Sequence, residues 1–106
     1  MYIPKIGEKI LNRGDMANSP HWLEVMDVYK DNWGTHVKVK VISANTSSVR
    51  KVGYEYVIEP VMIHDKDSGN GSTRFVTERA HTEWKEEQER QTAELIKRIL
   101  AGRNLK

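Results

Sequence analysis

The chain contains residue types that can do chemistry, but few of them stand at a working spacing. The run Asp65-Lys66-Asp67-Ser68-Gly69-Asn70-Gly71 opens like a calcium loop. Counted from Asp65, however, the twelfth position is Val76, where a bidentate glutamate is required. The run reads instead as a flexible connection rich in turn formers. His21, His36, His64 and His81 show no metal-ligand spacing, and only His64 has close acidic neighbours, in Asp65 and Asp67. Cysteine is absent, which excludes a disulfide framework and a thiolate zinc site. Serines and threonines are scattered through turns without a base and an orienting partner, and no Gly-rich loop joins a strand to a helix. Arg13-Gly14-Asp15 matches an integrin tripeptide but reads as a turn. The expectation is a protein with no catalytic residue, no cofactor and no metal ligand.

Binding chemistry is better represented. His36, Lys38 and Lys40 alternate with valines, so they share one face of a strand, with Arg50 and Lys51 close by in sequence. Cations in this arrangement can neutralise phosphates, and Trp33 in a polar turn can stack on a base. The competing reading is that alternating lysines keep a half-buried strand soluble and discourage edge pairing. Trp22, Tyr29, Trp33, Tyr54 and Tyr56 can line a peptide groove, although in so small a unit most of them are expected in the core.

The third candidate is the end of the chain. Residues 78–101 hold no Gly or Pro, and Thr77 precedes them as an N-cap residue. Trp84, Gln88, Gln91, Thr92, Leu95, Ile96 and Ile99 fall on one helical face. Ala80 and Trp84 can dock on the rest of the protein, residues 85–90 offer no hydrophobe, and Leu95, Ile96, Ile99 and Leu100 form an aliphatic tip. Gln88 and Gln91 suit a partly buried helix pair, in which neutral polar groups set register. Glu86–Arg90 and Glu94–Arg98 are spaced as i,i+4 ion pairs. The 24 residues from 78 to 101 extend about 36 Å as a helix. A unit of about 75 residues is only about 29 Å across, so the tip is expected to outrun the body and meet a second copy or a partner.

The elements that carry these residues read as short strands. Residues 6–12 form the first, 12–20 an irregular loop, 22–29 the second strand, 30–34 a hairpin with Asn and Gly at positive φ, and 36–41 the third strand. A turn at Asn45–Ser48 leads to a fourth strand over 49–58, ended by Pro60. Residues 61–63 form a link of one helical turn, 65–72 a connection, and 73–76 a closing strand. The expected fold is mainly β with one long C-terminal helix (α+β): a strongly twisted antiparallel barrel over 1–76 and a helix over 77–106.

The order of strand, irregular loop, three-strand meander, short turn and short strand resembles Src-homology-3-like and Tudor-like small barrels, over roughly residues 5–76. Arg13-Gly14-Asp15-Met16-Ala17-Asn18 before the Trp22 strand is similar to short proteins of bacteriophages and mobile elements. That resemblance implies an accessory or host-interaction role and no catalytic residue.

Bulk properties agree with a single domain of 106 residues. Apolar residues make up 38% and charged residues 30%, a skew concentrated in the helix, and the net charge of +2 demands no polyanionic partner. No segment has signal-peptide or membrane-spanning character, so a cytoplasmic protein with no membrane contact is expected. Protein interaction through the helix, including a homodimer, is the favoured expectation; nucleic-acid binding by the strand 36–41 face is the alternative.

Overall fold

The computed structural model describes residues 1–14, 19–45, 48–69 and 74–103. Residues 15–18 of the first loop and of the Arg13–Asn18 run lie outside the described residues. So do 46–47 of the turn, 70–73 of the connection and closing strand, and 104–106.

The valine alternation of the third strand decides the core. In β3 (Gly34–Ser43), Val37, Val39 and Val41 are fully buried while Lys38 and Lys40 point to the wetter face. Its hairpin partner β2 (His21–Asp31) buries Leu23 and Val25, then changes register between Val25 and Asp27. This bulge sets Asp27 opposite Lys38 and Val28 opposite Val37, so Asp27 stays exposed and Val28 packs on the core. The hairpin turn is Asn32-Trp33. Among the described residues positive φ is confined to glycines, here Gly34 at 117°, so Asn32 does not supply it. Instead the Asp31 carboxylate accepts the Trp33 amide at 2.8 Å, closing an Asx turn.

A six-stranded sheet curls into a half-barrel in the order β4-β3-β2-β1-β6-β5. β1 is Lys9–Asn12, β4 Glu55–Ile58, β5 Ile63–His64 and β6 Phe75–Thr77, and a 3₁₀ turn spans Pro60–Met62. All pairings are antiparallel except β5 with β6, which is parallel, so the expectation of a purely antiparallel sheet is corrected at that edge. The fourth strand is shorter than the sequence suggests. Val49, Val52 and Tyr54 are 72%, 62% and 51% exposed, because a turn at Val52-Gly53 takes them out of the sheet's buried face.

The two faces of β1 and β6 bury different clusters. Ile10 and Phe75 join Leu23, Val25, the β3 valines, Ile58 and Ile63 in the main core. Leu11 and Val76 point the other way, where Ala80 and Trp22 cover them. That second face seats the helix α1 (Glu78–Arg103). Of its 26 residues only the first two turns pack on the sheet, chiefly against β1 and β6, and every residue from Gln88 to Gly102 is exposed. The chain therefore extends 69 × 32 × 22 Å, with a radius of gyration of 17.8 Å; a compact chain of about 100 residues has about 13 Å.

Candidate functional site

The helix projects because its root is held firmly. Thr77 is the N-cap: its hydroxyl accepts the Ala80 amide at 3.2 Å and donates to Asp65 at 3.0 Å. Arg79 reaches the same Asp65 carboxylate at 2.6 Å. Deeper in, the Asp67 side chain is wholly shielded from solvent and bonded to several groups, three of them among the described residues. These three are the Arg13 guanidinium, His81 Nδ1 at 3.0 Å and the Gly69 amide at 2.8 Å. Burial raises the Asp67 pKa, but the hydrogen bonds from His81, Gly69 and Arg13 outweigh it and hold the carboxyl below its ordinary value. The His81 ring stacks on Trp84 at 5.9 Å and meets Trp22 edge-on at 5.9 Å, and Arg13 lies over Trp84 at 5.4 Å. Gly69, at φ +78°, rests on the Trp84 indole so closely that an added Cβ would lie 2.6 Å from it.

A cleft of about 570 Å³ adjoins this root, lined among the described residues by Arg13, Trp22, Arg74 and His81 with Leu11 and Pro20. Its polar groups are already engaged: Arg13 and His81 on Asp67, and Arg74 toward Asn12 at 3.5 Å. The segment read from sequence as a loose connection thus contains the residue that ties loop, sheet and helix together. The Asp-x-Gly spelling, an Asx-turn signal, is the part of this that sequence displays. Pairing Asp67 with Arg13, 54 residues away, is not.

Beyond the root the expected interaction residues are exposed. Leu95, Ile96, Ile99 and Leu100 are 56%, 50%, 49% and 51% exposed. Gln88 and Gln91 are exposed on the way to the tip, and the Gln91 amide donates to Glu87 at 3.0 Å. The ion pairs keep the expected spacing in two of three cases but join other residues than expected. Arg90 bonds Glu87 at 2.5 Å and Glu94 at 3.0 Å, and Arg79 bonds Glu83 at 2.9 Å, rather than Glu86–Arg90 and Glu94–Arg98. One guanidinium spans both neighbours on its own side of the helix.

Of the alternative basic residues, His36, Lys38 and Lys40 share one face of β3, among carboxylates, whereas Arg50 lies over Tyr56, which stands opposite the core residue Val39 on the other face. His36 Nε2 lies 2.8 Å from Asp31 and Nδ1 3.1 Å from Glu59. The Asp31 hydrogen bond, opposed by desolvation, raises the His36 pKa, while the Trp33 amide and His36 lower that of Asp31. Lys38 is 4.0 Å from Glu55, and Lys40 stands in register between Glu24 and Glu55. The Arg50 guanidinium lies over Tyr56 at 4.4 Å, and Lys51 is exposed. Trp33 is 88% exposed. The other aromatics depart from the core expectation: Tyr29 and Tyr54 are exposed, and Trp22 and Tyr56 are half-buried.

His64 turns out not to share a cluster with Asp67, whose carboxylate is taken by Arg13 and His81. Among the described residues no group of three or more His, Asp or Glu is placed to hold a metal ion. None of their helices is long and apolar enough to cross a membrane. Compared with protein-family models, with curated proteins and with solved structures, the chain matches none.

Proposed function

We propose that the chain is a non-enzymatic interaction module, of the accessory or host-interaction kind, that contacts a second copy or a partner through the tip of α1. The sheet, with its β2–β3–β4 meander, its 3₁₀ turn and the return of β6 to β1, supports the Src-homology-3-like reading. In this account the sheet is a platform and the helix is the working part. The observation that carries it is the tip itself: four aliphatic side chains, each about half exposed, on a helix in which every residue from Gln88 to Gly102 is exposed.

The strength of such a contact follows from the exposure. Burying a large apolar side chain fully is worth about 1.5–3 kcal/mol, so the exposed halves of four offer about 3–6 kcal/mol per chain. Two copies offer about 6–12 kcal/mol against an association cost of at least about 4 kcal/mol. A dissociation constant of about 1 μM or weaker is expected. Replacing Ile96 and Ile99 by Glu puts charge into this contact and should abolish it, read as mass by light scattering. A wild-type chain that stays monomeric and captures no protein dependent on those two isoleucines would refute the reading.

Nucleic-acid binding by Lys38, Lys40, Arg50, Lys51 and His36 is the second reading, favoured by the exposure of Trp33. The carboxylates of Asp31, Glu24, Glu55 and Glu59 among those cations weigh against it. Its mark would be binding that weakens steeply with salt.

A further inference from the structure

The charge on α1 is divided along its length. From 83 to 89 four glutamates accompany one lysine, a net of −3; from 97 to 103 stand Lys97, Arg98 and Arg103, a net of +3. The helix macrodipole favours such a division, but its influence fades within the terminal turn. Glu86 and Glu89 lie more than two turns in from Glu78, and Lys97 and Arg98 more than one turn from the last helical residue. Within the helix, Arg90 takes Glu87 and Glu94 while Arg79 takes Glu83. Among the described residues Glu86, Glu89, Lys97 and Arg98 form no ion pair.

A shallow groove also runs along this part of the helix, lined by Lys85, Gln88, Glu89, Thr92, Ala93 and Ile96. These positions frame two successive four-residue holes, 85-88-89-92 and 89-92-93-96, of the kind that accept a side chain from a facing helix.

We infer that the occupant of this groove is the same segment of a second copy, lying antiparallel; the inference rests on the self-association reading above. With the two-fold axis beside Ala93–Glu94, Ile99 of each copy enters the 85-88-89-92 hole of the other. That register also sets Arg98 beside Glu89 and faces each 83–89 segment with a 97–103 segment, so net −3 meets net +3 twice. A parallel pair lays −3 on −3 and +3 on +3, where like charges oppose one another. Small Thr92 and Ala93 at the crossing let the helices approach closely. The two sheets then sit at opposite ends of an elongated dimer.

The chain has no cysteine, so single substitutions report orientation directly. Gln88→Cys is at an exposed position, and Gly102→Cys meets open space around its new Cβ. Neither changes the charge. A mixture of the two full-length variants, treated with a short bismaleimide, should form the mixed cross-linked dimer. Each variant alone should stay largely uncross-linked, because its own two copies of the site lie about 17 Å or more apart along the axis. Self cross-linking of each variant, with no mixed product, would show a parallel pair and overturn the inference while sparing self-association. A dimeric mass without any cross-link would place the interface elsewhere and overturn it as well. Monomeric mass without cross-links would remove the self-association reading itself.

Discussion

Removing the Asp67 carboxylate tests how the projecting helix is held. Asp67 is fully shielded and engages Arg13, His81 and the Gly69 amide, so Asp67→Ala leaves a guanidinium, an imidazole and a loop amide without their acceptor. Breaking a buried ion pair costs about 3–5 kcal/mol. Arg13 and His81 keep about 20% side-chain exposure, and water can partly replace the lost partner, which places the expected loss at about 2–4 kcal/mol. Against the total stability of about 5–15 kcal/mol usual for a single domain, that is a large fraction. Asp67→Asn, which retains an acceptor for the Gly69 amide, should lose less. Urea unfolding followed by tryptophan emission suits the measurement, because Trp22 and Trp84 both flank His81. The carboxyl's lowered pKa gives the test a second arm. Its contribution is present above the ordinary carboxylate pKa of about 4 and disappears as pH falls through the folded value. The wild type should therefore lose its advantage over Asp67→Asn in acid. An Asp67→Ala midpoint within about 0.5 kcal/mol of wild type at neutral pH would refute the anchoring role.

Gly69→Ala meets both a positive φ and a Cβ 2.6 Å from the Trp84 ring. It should cost about 1–3 kcal/mol in the same urea assay; a neutral result would mean that the loop does not press on the helix root. His36 titrates with a raised pKa because of Asp31 and Glu59. Its stabilising effect is full below the unfolded pKa of about 6.5 and declines as pH rises through the folded value. Melting temperatures of wild type and His36→Gln should therefore converge on going from pH 5 to pH 9, and a constant difference would contradict the assignment.

Much of this architecture was legible from local pattern. The Val37, Val39 and Val41 alternation placed β3 and its inward face, and the uninterrupted segment after Thr77 placed the helix and its cap. The length of that helix against the size of the body foretold the projecting tip of Leu95, Ile96, Ile99 and Leu100. What stayed hidden depends on partners distant in sequence. The bulge at Met26 follows from how β2 must keep both Val25 and Val28 inward, which no single run displays. The apolar look of Val49, Val52 and Tyr54 suggested a longer β4, whereas the Gly53 turn leaves them in water. The basic face of β3 was visible, but Glu24 and Glu55, which flank Lys40, come from neighbouring strands. The parallel β5–β6 pair and the Arg13–Asp67–His81 cluster likewise join segments whose proximity only the folded chain creates.

The central claim is that the exposed tip of α1 is a contact surface that begins with the chain itself. Sedimentation velocity over concentrations from about 1 to several hundred μM tests it most directly, spanning the dissociation constant expected from the exposed area. The account predicts a monomer that moves reversibly toward dimer as concentration rises, and an Ile96→Glu/Ile99→Glu variant that remains monomeric throughout. A wild type that stays monomeric across the range, or a variant that dimerises as well as wild type, would contradict it.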